Sequence, residues 1–202
     1  MNQAHVTVPA SASPSKAVSP VLLQFGLAAA GSLLVAVCAH VSVPLVFTPV
    51  PLTLQTFAVL LLGLTLSPET AFAALALYLA EGAAGLPVFS PQGPGGVLQI
   101  MGPTGGYLLS YPFAAAVTAL LATRFGRRSF GGYALAAALG SVVILTLGAA
   151  WLAVARQSLA TTLTLAVWPF LPGDALKVCA AAAAATGFGW IRERFSDFQA
   201  GL

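Results

Sequence analysis

Apolar runs long enough to cross a bilayer follow one another along the chain, broken by short polar or Gly/Pro-rich stretches. Residues 1–20 are polar, rich in Ser and Pro, and read as a disordered tail. Val21–Ala39 is the first span. It is read as a retained helix and not a cleaved signal, because Lys16 is its lone basic flank and the apolar character continues beyond it. Pro44, Pro49 and Pro51 then stand too close together for one continuous helix. The second span is therefore predicted over about 51–66, roughly 24 Å long against a core of ~30 Å. The missing length must be irregular backbone, which membrane depth tolerates only where protein covers it or where it lines a cavity. Thr53 and Gln55 sit at that mouth.

Ser67-Pro68-Glu69 carries the signals of a helix start: a capping hydroxyl, proline in the first turn and an acid near the dipole's positive end. The third span follows over about 68–84. A Gly/Pro-rich loop fills 85–106, and Pro103 opens a fourth span to 123 that Pro112 should bend. The fifth covers about 133–155 and the sixth about 170–191, leaving 193–202 as a short C-terminal tail. The expectation is an all-α membrane protein: one six-helix domain over 21–192 and no soluble domain.

Basic residues orient it. With both termini in the cytoplasm, Lys16, Arg124, Arg127, Arg128, Arg192 and Arg194 all fall inside and Arg156 alone falls outside. The 41–52 segment, the 85–106 loop and the start of the sixth span then share the outer face, which predicts a pocket open to the exterior.

Composition agrees with the pattern. Hydrophobic residues make up 58 % of the chain, charged residues 6 %, and the mean hydropathy is +0.93, whereas soluble domains carry about 25 % charged residues. The two cysteines, Cys38 and Cys179, lie in apolar runs and predict no disulfide framework. No Cys/His cluster has metal-ligand spacing, so neither metal nor cofactor is expected, and the small positive charge suits a bilayer better than nucleic acid. No Ser/His/Asp set, HExxH, Gly-x-Ser-x-Gly or Walker A sequence is present, which argues against an enzyme and against ATP-driven transport by this chain alone.

The chemistry concentrates in the sixth span, where Asp174 and Lys177 are the charged residues of 170–191. Three residues apart, they share a helix face. Each would cost roughly 2.5–3.5 kcal/mol at membrane depth unless it faces a cavity or a partner. Asp174 accepts hydrogen bonds and Lys177 donates them, so the matching ligand presents N–H donors beside an acceptor oxygen, as in a urea, an amide or a nucleobase edge. The competing reading is an internal ion pair that fixes packing.

Other candidates carry less. The 85–106 loop has no Lys or Arg, so a carboxylate there would rest on backbone amides, Thr104, Gln92, Gln99 or water, with the N-terminus of the fourth helix behind them. A plain connection explains the same glycines. Glu81 is either a pocket wall or an interfacial acid. Ala28, Ser32 and Ala36 form a stripe of small residues that either docks a membrane partner or packs within the chain.

Four stretches carry a resemblance: VPLTLQTFAVLLLG (50–63), GLPVFS (85–90), GPTGGYLLSYPFAA (102–115) and PFLPGDALKV (169–178). In this order, across 21–192, the chain resembles the BioY family, the biotin-binding S components of energy-coupling factor (ECF) transporters. The resemblance implies the six-helix S-component fold and an external biotin site in a bacterial cytoplasmic membrane. In the family, Asp and Lys of the sixth helix contact the ureido ring; they match Asp174 and Lys177. The Gly-Pro-Thr-Gly-Gly-Tyr element adds Gly105 and Tyr107 to the candidate binding set. The stripe at Ala28, Ser32 and Ala36 resembles the face that docks the T component, which two ATPase subunits drive. Where many members have polar or basic side chains before that element, this chain has SPQGPGG. A stand-alone or oligomeric transporter, and more remotely a membrane enzyme or scaffold, are the alternatives.

Overall fold

A computed structural model describes residues 19–125, 129–156, 162–164 and 167–200. The tail before residue 19, Lys16, Arg127 and Arg128 lie outside the described residues, as do the side chains of Arg156, Arg192 and Arg194.

Helix α1 runs Pro20–His40, with the Ser19 hydroxyl accepting from the Leu22 amide and Pro20 opening the first turn. The proline cluster then forces the chain out of helix. Ser42–Val43 (β1) pairs antiparallel with Leu52–Thr53 (β2), Ser42 opposite Thr53, in a miniature hairpin that the all-α expectation lacked. Helix α2 starts later than predicted, at Gln55, and ends at Thr65. Helix α3 covers Pro68–Ala83, and Ser67 caps it as its sequence signals required, its hydroxyl accepting from Thr70 N at 3.3 Å. The loop beyond holds one unpredicted short helix, α4, Gly96–Met101. It is entered through Gly95 and Gly96 at φ +73° and +60°, a left-handed backbone that favours glycine. Helix α5 is Gly105–Phe125 with Pro112 inside it, α6 is Phe130–Arg156 and α7 is Leu171–Ala200. Residues 193–200 therefore continue the last helix and do not form a separate tail.

By length and composition α1, α5 and Phe130–Val154 of α6 can each cross a membrane. The short α2 sits at the centre, packed against α1, α5, α6 and α7, and Ala58, Val59 and Leu60 are fully buried there. The α5·α6 and α1·α3 pairs flank it. Polarity is distributed as lipid solvation demands. Phe25, Leu33, Phe113, Leu176 and Phe188 face outward, whereas Ser32, Gln55, Thr118, Ser141 and Asp174 are buried. A polar group among lipid tails has no partner, so it turns toward the protein and the leucines take the outside.

Candidate functional site

Asp174 and Lys177 lie in the first two turns of α7, and both line one cavity between α2, α5, α6 and α7. The helix start is seated by the Asp174 amide donating to Phe170 O at 2.8 Å. The two charges reach different helices. Asp174 is 7 % exposed and accepts from the Ser141 hydroxyl of α6. The Lys177 ammonium donates to Thr56 Oγ1 of α2 at 3.0 Å. One neutral partner each leaves most of their capacity unspent: a carboxylate has about four acceptor positions and an ammonium three donors. The cavity therefore presents acceptor and donor sites from one helix face, as the sequence spacing required.

A second set of polar groups fixes the walls. The Thr53 hydroxyl donates to Gln55 Oε1 at 3.1 Å, the Gln55 amide donates to the Tyr78 phenol at 2.6 Å, and that phenol donates to Val88 O at 3.1 Å. This relay ties β2 and the start of α2 through α3 to the 85–90 segment. Gln55 is buried, yet its amide still has one N–H and one lone pair to offer the cavity. Tyr107 and Phe170 stand 6.4 Å apart, ring centre to ring centre, inclined at 47°, and give the cavity an aromatic wall together with Tyr111. Tyr107 fits because α6 carries Gly148 opposite it; a Cβ there would overlap the ring.

The free volume is about 50 Å³, room for only about three or four waters.

Of the candidates named from the sequence, Asp174, Lys177, Thr53, Gln55, Gln99, Thr104 and Tyr107 are brought together around this cavity. Gln92 lies on the adjoining outer hollow. Three expectations are corrected. Gly105 is buried against Ile100, whose carbonyl a Cβ would overlap, so it serves the close packing of α4 on α5 and presents nothing to the cavity. Glu81 accepts from the Ser32 hydroxyl between α3 and α1 and does not wall the cavity. Ala28, Ser32 and Ala36 are all buried, Ser32 to 1 % exposure. Neighbouring Gly31 lies so close to α3 that an added Cβ would stand 3.0 Å from Ala74. The stripe is thus spent on packing α1 against α3 and offers no free surface to a docking partner in this arrangement.

Sequence reasoning missed Ser141, Thr56 and Tyr78, which hold Asp174, Lys177 and Gln55. Each is one of two or three hydroxyls in an apolar helix. That is a weak signal, because a hydroxyl there can also bond the preceding turn, as Thr118 does with Ala114 O at 2.8 Å.

The chain is 38 % identical over 133 residues to the probable biotin transporter BioY of Pyrococcus horikoshii, covering 66 % of this chain and 76 % of that protein. It is 36 % identical over 149 residues to the biotin transporter BioY of Thermotoga maritima, covering 74 % and 85 %. The named relatives are transporters and not enzymes. In fold it is similar to the crystal structure of the S-component for biotin from an ECF-type ABC transporter, with a TM-score of 0.78 at 22 % identity over 86 % of this chain and 94 % of that one. The BioY family itself is matched over residues 11–194, nearly the whole helical body, and the chain belongs to that family.

Proposed function

We propose that this chain captures biotin at the outer face of a bacterial cytoplasmic membrane and carries it inward as the substrate-specific component of an ECF transporter. In this reading Asp174 accepts from the ureido N–H groups, Lys177 donates to the ureido oxygen, and Tyr107 and Phe170 flank the fused rings. The helices cross the membrane six times with both termini inside, by the distribution of Lys and Arg. A membrane T component and two ATPases supply the energy, since this chain has no nucleotide-binding sequence of its own.

The observation that carries the substrate is the disposition of Asp174 and Lys177. A buried acceptor and a half-buried donor, three residues apart on one helix face, keep unused hydrogen-bonding capacity inside one cavity. Each of these two side chains also makes a hydrogen bond with a separate neutral hydroxyl, which supports a pair held open toward a ligand over one that only fixes packing.

The test has two stages. Calorimetry on the purified chain in detergent should show biotin binding, and folded protein that ignores biotin would defeat the substrate assignment. Labelled-biotin uptake should then be followed in cells with and without a T component and its ATPases. Equal uptake in both would favour the stand-alone transporter over the energised one.

A further inference from the structure

A second hollow of about 90 Å³ adjoins the cavity around Asp174, and the two share Pro51, Gln99 and Thr104 as wall. A ligand whose bicycle rests on Asp174 and Lys177 would run its tail into this outer hollow. The hollow's remaining wall is proline, glycine and the exposed Gln92. No Lys or Arg occurs anywhere between residues 17 and 123, and Lys177 lines the inner cavity but not the outer hollow.

The neutral groups are partly committed too. The Gln99 amide donates to Ser90 O at 3.3 Å and its oxygen accepts from Gly95 N at 3.1 Å. Gly93 covers it so closely that a Cβ there would lie 2.6 Å from the amide carbon. Gln99 is therefore a strut of the loop. The Thr104 hydroxyl donates to Gln99 O at 3.4 Å, which leaves it an acceptor, and Gln92 is exposed at the wall; neither carries charge. Moving a carboxylate from water onto uncharged donors gains no ion pairing to offset its lost hydration.

From this we infer that the outer end of the site does not read charge: the protein takes the biotin bicycle with a neutral tail, an amide or an ester, as well as with the free acid. The substrate class is thereby widened from biotin to its small carbonyl derivatives. The inference rests on the biotin reading above.

Calorimetric titration of the full-length chain with biotin, biotinamide and biotin methyl ester, at low and high salt, tests it. The three affinities should agree within about threefold and respond little to salt. A cation paired with the carboxylate would instead favour the free acid by roughly ten- to hundredfold. That preference, if seen, overturns the inference while leaving the biotin reading standing. Its loss in Arg156→Gln would place the missing countercharge at the end of α6. If none of the three ligands bound to folded protein, the biotin reading itself would fall and the inference with it.

Discussion

Asp174→Asn is the most informative single change. The side chain keeps its size, so the packing of α7 against α6 is preserved and the chemistry alone changes. Asp174 accepts from the Ser141 hydroxyl and, in the proposed complex, from ligand N–H groups. In asparagine one acceptor oxygen becomes an N–H₂ donor. If the remaining oxygen keeps Ser141, the new donor faces the ligand's own N–H and the contact becomes repulsive. A charge-assisted hydrogen bond is worth roughly 1.5–3 kcal/mol, and leaving the opposite group buried without its acceptor raises the total to about 2–5 kcal/mol. Affinity should therefore fall by roughly thirtyfold to several thousandfold. Removing the carboxylate also leaves the half-buried Lys177 without a nearby anion, so thermal stability should fall modestly even without ligand. Calorimetry with biotin, paired with a thermal melt of the apo protein, separates the two effects. Wild-type affinity in a well-folded variant would refute the role given to Asp174, and with it the argument from unspent hydrogen-bonding capacity.

Other changes probe the frame around the pair. Tyr78→Phe removes the centre of the Gln55–Tyr78–Val88 relay and strands a buried amide; it should cost about 1–3 kcal/mol of stability, and an unchanged melting temperature would mean that the relay carries no load. Gly148→Val puts a side chain where the Tyr107 ring lies; biotin binding should be lost or severely weakened, and retained affinity would show that Tyr107 is not part of the site. Ser32→Trp places the largest side chain into the α1·α3 contact, where Ser32 is fully enclosed. Overpacking there should destabilise the fold by about 1–3 kcal/mol or more, whereas a stable variant that binds biotin but fails only in energised uptake would restore the stripe as a docking face.

The fold was legible where local physics leaves one choice. Ser67-Pro68-Glu69 announced the start of α3 to the residue, because capping hydroxyl, proline and acid each favour the first turn for separate reasons. The prolines after α1 correctly excluded a helix, but what replaced it was not legible. The pairing of Ser42 with Thr53 depends on two segments meeting across a loop, and neither two-residue strand has a pattern of its own. Helix α4 was hidden likewise. Its sequence reads as loop because Gly95 and Gly96 precede it, and those glycines are there to turn the chain through positive φ. The stripe on α1 shows the limit most plainly. Small residues permit close approach, but spacing cannot say whether the approaching helix belongs to the same chain. Here it does, and the Ser32–Glu81 hydrogen bond between α1 and α3 accounts for two candidate residues at once.

The site was legible for an energetic reason. In an apolar chain the expensive residues are few, and each needs a partner or a purpose. Asp174 and Lys177 were found because no cheaper arrangement would keep two charges in one apolar run. Their hydroxyl partners were not found, because a serine in an apolar helix costs little wherever it points. The same asymmetry explains the outer hollow. A cation there would have stood out in the sequence as clearly as Lys177 does, and residues 17–123 contain none. In the proposed complex, recognition of the bicycle rests on charge and recognition of the tail on neutral groups. Substitutions at Asp174 should then weaken acid, amide and ester ligands by the same factor, because the part of the ligand they share is the part assigned to Asp174.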